Sequence, residues 1–61
     1  MFSLRIDDES IQSEGTIQSA VSGLNKNVDS YLYLIDGVPV PMDIEPEDGA
    51  SVVAIRVASG G

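Results

Sequence analysis

Two stretches near the ends of the chain constrain its fold most. At the start, Phe2, Leu4 and Ile6 alternate with Ser3, Arg5 and Asp7; toward the other end runs Ser51-Val52-Val53-Ala54-Ile55-Arg56-Val57. Period two with one polar face marks a half-buried strand. The second run is rich in β-branched residues and carries no charge before Arg56, which suits a strand inside a sheet. Between them, Ile17, Ala20, Val21 and Leu24 fall at i, i+3, i+4 and i+7. That spacing gathers four apolar side chains on one helical stripe. With the helix as crossover, the last strand can lie parallel beside the first. The helix then covers one face of a mixed sheet, and the face expected under it carries Phe2, Leu4, Ile6, Val53 and Ile55.

The remaining elements follow from local chemistry. Asp7-Asp8 supplies a turn, after which Glu9 to Gln12 forms a short return strand with Ile11 inward. Thr16 suits an N-cap, since its hydroxyl can accept from a first-turn amide. Asn25 suits the left-handed position after a helix. The helix is about two turns long and depends on packing rather than propensity. Tyr31-Leu32-Tyr33-Leu34-Ile35 reads as an interior strand with both faces apolar. Asp36-Gly37 is a hairpin turn, and Val38 to Val40 is an edge strand, because Pro39 and Pro41 cannot donate to a ladder. Met42 to Glu45 is irregular with Ile44 tucked in, and Pro46-Glu47-Asp48-Gly49 is a further turn. The expected class is α+β, with four to five strands and one helix. Residues 1–57 form the domain, and 58–61 a flexible Gly-Gly tail.

Composition narrows the function. In 61 residues there is neither cysteine nor histidine. Disulfides and thiolate metal centres are therefore excluded, and the commonest general base is missing. A domain this small buries only about 60% of the surface its unfolded chain exposes. Ten acids against Arg5, Lys26 and Arg56 give a net charge of −7, which repels nucleic acid and anionic membranes. No apolar run approaches the ~18 residues of a membrane span, and Met1 to Glu9 does not read as a signal peptide. These features predict a soluble, cytoplasmic, monomeric protein that is not an enzyme and holds no cofactor or metal.

The element order, the Asp36-Gly37 turn, Glu47-Asp48-Gly49 before the last strand and the final Gly60-Gly61 together resemble the β-grasp sulfur carriers and ubiquitin-like modifiers. The resemblance spans the full length. It is greatest to small archaeal modifier proteins and ThiS-type carriers, and less to MoaD-type carriers, which typically have prolines before Gly-Gly where this chain has Arg56-Val57-Ala58-Ser59. It implies an archaeal source and a role as carrier or protein modifier. A ThiF- or MoeB-like activating enzyme would adenylate the Gly61 carboxylate with ATP. A thiocarboxylate for tRNA thiolation, molybdopterin or thiazole synthesis, or an isopeptide bond to target-protein lysines, would follow.

The residues give that role a physical basis. Four residues reach about 13 Å when extended, and glycine has no side chain to obstruct a narrow site. Gly60 and Gly61 are therefore the candidate activation site; the bland alternative is a frayed terminus. A second candidate is an outer sheet face with Arg5, Val52, Ala54 and Arg56. Periodicity leaves open which side of the Tyr31–Ile35 strand points outward. Aligning Asp36-Gly37 with the family turn favours Leu32 and Leu34, giving an apolar patch rimmed by Arg5 and Arg56. Exposed apolar patches often mark interfaces, and this one would dock the activating enzyme. Lys26 is the single lysine and a candidate acceptor for another copy, although a lysine at a helix end is commonly just solvated. Asp7-Asp8 and Glu47-Asp48 read as turn residues rather than metal ligands, since no convergent oxygen set can be named. The contrasting function is an interaction module that binds through its sheet and is never activated.

Overall fold

The computed structural model describes residues 1–57. The first strand, β1 (Phe2–Ile6), turns at Asp7-Asp8 into β2 (Glu9–Ser13). Helix α1 (Ile17–Ser22) follows, then a single 3-10 turn (Val28–Ser30), the strands β3 (Tyr31–Ile35) and β4 (Val38–Val40), and last β5 (Ser51–Arg56). The sheet order is β2-β1-β5-β3-β4. Strand β5 lies parallel to β1 and antiparallel to β3, while both hairpins are antiparallel. A mixed five-stranded sheet with one short helix packed on it is an α+β, β-grasp-like fold, as expected from the order of elements.

Local chemistry explains most of this. The Thr16 side chain accepts from the Ser19 amide at 3.2 Å, as an N-cap should. Two more helix amides are met from outside: Ile17 N–H donates to the Ile44 carbonyl and Gln18 N–H to the Met42 carbonyl. The irregular 42–44 segment thus serves as a partner for amides that a helix start leaves open. Asn25 is left-handed, with φ 61°. The Asp36-Gly37 turn has both central residues at positive φ, 53° and 78°, the pattern of a type I′ hairpin turn whose twist matches its strands. The 3-10 turn, absent from the sequence reading, is capped by the Asn27 side chain, which accepts from the Asp29 amide at 3.0 Å.

The core consists of Phe2, Leu4, Ile6, Ile17, Ala20, Val21, Tyr31, Tyr33, Val52 and Ala54. Ile11, Leu24, Ile35, Val40 and Ile44 pack against it, partly buried. The alternation in β1 and the Ile17, Ala20 and Val21 positions of the helix stripe are therefore as the sequence predicts, whereas Leu24 lies past the end of the helix, partly buried against the core. In β5 the two faces are the reverse of the expectation. Val52 and Ala54 face the helix and are buried, whereas Val53 and Ile55 are 39% and 46% exposed. The reason is register. Residues directly opposite on paired strands share a face. Tyr33 pairs with Ala54 and Ile35 with Val52, while Leu34 pairs with Val53 and Leu32 with Ile55. Once the tyrosines of β3 turn inward, β5 has no choice of face.

Candidate functional site

The outer face of the sheet is built by strand alternation. Its central row runs Arg5, Val53, Leu34, Pro39 across β1, β5, β3 and β4. Beside it, Ile55 lies opposite Leu32. Leu32, Val53 and Ile55 are exposed large hydrophobics, and Val57 beyond them is 41% exposed. The Val57 amide donates to the Ser30 carbonyl at 2.9 Å, extending the β3–β5 ladder by one rung. On the β1–β2 side the register places Ser3, Ser10 and Gln12 on the same face. None of the outward strand positions carries a carboxylate, and Arg5 is their single charge. On a chain of net charge −7, an acid-free apolar face has the lowest desolvation cost for a partner.

Of the residues expected on this face, Leu32, Leu34 and Arg5 are there. Val52 and Ala54 are not: they lie in the core at 1% and 8% exposure, and Val53 and Ile55 take their place. Arg56 does not rim the patch either. It shares the inward phase of β5 with Val52 and Ala54 and stands at the end of the sheet over Tyr31, its Cζ 5.4 Å from the ring centroid. The signal that reveals Val53 and Ile55 is pairing: fixing Leu32 and Leu34 outward fixes their cross-strand neighbours.

Around Arg56 an ion-pair cluster gathers at the end of β5. Asp7 Oδ2 accepts from Lys26 Nζ and from the Tyr31 hydroxyl, each at 2.9 Å. Arg56 Nη2 lies 3.6 Å from the same oxygen and donates to the Tyr31 hydroxyl at 3.1 Å. Glu9 adds a carboxylate 3.4 Å from Lys26 Nζ. The Lys26 and Tyr31 hydrogen bonds hold the Asp7 carboxyl below the usual carboxylate range, with the Lys26 and Arg56 charges adding to the effect. The Asp7 hydrogen bond in turn raises Lys26 above the ordinary ammonium value, with Glu9 contributing less. Tyr33 donates to the Val28 carbonyl at 2.8 Å, and burial raises its phenol.

A concavity of about 420 Å³ lies between the β3–β4 turn and the segment before β5, with Asp36, Glu45, Glu47 and Asp48 on its wall. Asp48 pairs with the Met1 ammonium at 2.7 Å, though it is itself 92% exposed. Among the described residues no group of three or more acidic, histidine or cysteine side chains is placed to hold a metal. No helix among them is long and apolar enough to cross a membrane. Gly60 and Gly61, the candidate activation site, lie outside the described residues. No family model matches the sequence, and no curated protein matches it.

Proposed function

We propose that this chain is a ubiquitin-like modifier or sulfur carrier, activated at the Gly61 carboxylate by adenylation on a separate ThiF- or MoeB-like enzyme. The observation that carries the reading is the acid-free apolar face centred on β5, the strand whose sequence continues to Gly60-Gly61. An activating enzyme gripping Leu32, Leu34, Val53 and Ile55 would hold the body by the strand that leads into the group to be activated. Gly61 lies five positions beyond Arg56 in sequence (61 − 56 = 5), and five residues span at most about 17 Å. In the proposed chemistry the carboxylate oxygen attacks the α-phosphorus of ATP and pyrophosphate leaves. The acyl-adenylate then passes its acyl group to hydrosulfide from a sulfide donor, giving a thiocarboxylate, or to a neutral lysine amine, giving an isopeptide bond with loss of a proton; AMP leaves in either case. The protein supplies the substrate and the grip, while ATP and catalytic groups belong to the enzyme. A cytoplasmic, monomeric protein with an archaeal source fits this reading.

Incubation with ATP, a sulfide donor and candidate activating enzymes, followed by intact-mass measurement, tests it. The expected product is heavier by the difference between sulfur and oxygen, or by a bound AMP. Deleting Gly60-Gly61 should abolish the product and leave the fold unchanged. The apolar face also favours a second reading, an interaction module that docks through its sheet without activation. That module would bind its partner equally well with the two glycines removed.

A further inference from the structure

We infer that Lys26 is masked against acylation by the carboxylates of Asp7 and Glu9, so that this side chain is not an acceptor for activated acyl groups, including the molecule's own. The part about its own activated end rests on the proposed function; the masking does not. Lys26 is the one side-chain amine in the sequence. It is 22% exposed, and its Nζ stands 2.9 Å from Asp7 Oδ2 and 3.4 Å from Glu9 Oε2. Asp7 is not free to swing away, because the same oxygen accepts from the Tyr31 hydroxyl and faces Arg56. The backbone points the pair together at both ends: Asp7 occupies a hairpin turn at φ 52°, and Lys26 follows the left-handed Asn25.

Acylation of an amine needs a neutral nitrogen. Its lone pair forms the new C–N bond, the leaving group departs with its bonding pair, and the nitrogen passes a proton to solvent. An ammonium held between two carboxylates has that lone pair committed to a proton and its approach directions partly filled. Location makes this consequential. Lys26 and Arg56 meet on one Asp7 oxygen, so the amine stands where β5 finishes. A reactive carbonyl tethered a few residues beyond would experience a high effective concentration of any free amine there.

The test needs the intact protein and the N-hydroxysuccinimide ester of acetic acid at about pH 8. Modification of Lys26 is followed by peptide mass, in buffer and in denaturing urea. Folded wild type should react at Lys26 about fivefold more slowly than the unfolded chain, the scale expected of a partly shielded ion pair. In the folded Asp7→Asn/Glu9→Gln variant the difference should shrink to under about twofold. Should that variant not fold, Glu9→Gln alone and wild type in about 1 M salt provide the same comparison, since screening loosens the pair. Equal rates for folded and unfolded wild type, or no acceleration in a folded variant or in salt, would overturn the masking. With an activating enzyme and ATP, wild type should accumulate no species linked through Lys26, whereas the double variant should. Self-linkage of wild type at Lys26 would refute the inference directly. Absence of any adenylate in both proteins would instead count against the proposed function, with the labelling result standing by itself.

Discussion

In the β1–β2 turn, one Asp7 carboxylate oxygen accepts from Lys26 in the segment after the helix and from Tyr31 at the start of β3, and faces the charge of Arg56 at the end of β5. The pH dependence of stability follows from the signs of its shifts. The folded Asp7 carboxyl lies below its ordinary value of 3.8, so its contribution is complete above that value and is lost as pH falls through the lower folded one. Lys26 lies above 10.5, so its contribution is complete below 10.5 and is lost as pH rises through the higher folded value. With no histidine in the chain, urea unfolding should show these pairs contributing evenly from about pH 5 to about pH 7, above which the Met1 ammonium, raised from 8.0 by its hydrogen bond to Asp48, begins to lose its own contribution. Asp7→Asn should flatten the decline below pH 4, because its carboxylate no longer has to be protonated. Two further side-chain changes act through the backbone. Thr16→Ala removes the helix cap and should cost about 1 kcal/mol. Gly37→Ala places a Cβ at φ 78°, where space is open but the conformation is strained, and should also cost about 1 kcal/mol. Chemical denaturation midpoints measure both.

The elements were legible in the sequence wherever one physical signal dominated. Alternation in β1, the Ile17, Ala20, Val21 stripe of α1 and the double positive-φ turn at Asp36-Gly37 each had a single structural solution. The β5 strand did not, because Val52, Val53, Ala54 and Ile55 are apolar in both phases. The face expected inward carried Val53 and Ile55, but the sheet instead pairs small Ala54 with large Tyr33. The needed information lay in another strand, and single-strand periodicity does not contain cross-strand register. The Val28–Ser30 turn was missed for a related reason: its signal is one asparagine cap. The face assignment has a direct check. Val52→Ala should cost about 2 kcal/mol by emptying core volume, while Val53→Ala should cost under about 1 kcal/mol. Ile55→Asp should leave the far-ultraviolet spectrum unchanged and, under the proposed function, abolish binding to an activating enzyme. An Ile55→Asp protein that is activated at the wild-type rate would remove the outer face from the proposed function.

Over the whole molecule, charge and apolar surface are segregated. The carboxylates occupy turns, edges and the inward-phase ends of strands, while the outward strand positions hold none. If the partner proposed above presents a basic surface, salt should therefore affect the rate of encounter more than the stability of the docked complex, which apolar contact would dominate. Stopped-flow association at low and high ionic strength separates the two.

The position of β5 between the hairpins also sets when this protein can exist at all. Strands β1 and β3 never pair with one another; each pairs with β5, and Ser3 waits for Ser51, forty-eight residues later. During synthesis, the β1–β2 and β3–β4 hairpins emerge from the ribosome with no strand between them to complete the sheet. A nascent chain stalled before residue 51 should thus be degraded by proteases as an unfolded polypeptide. Protection should appear in one step once β5 has cleared the exit tunnel.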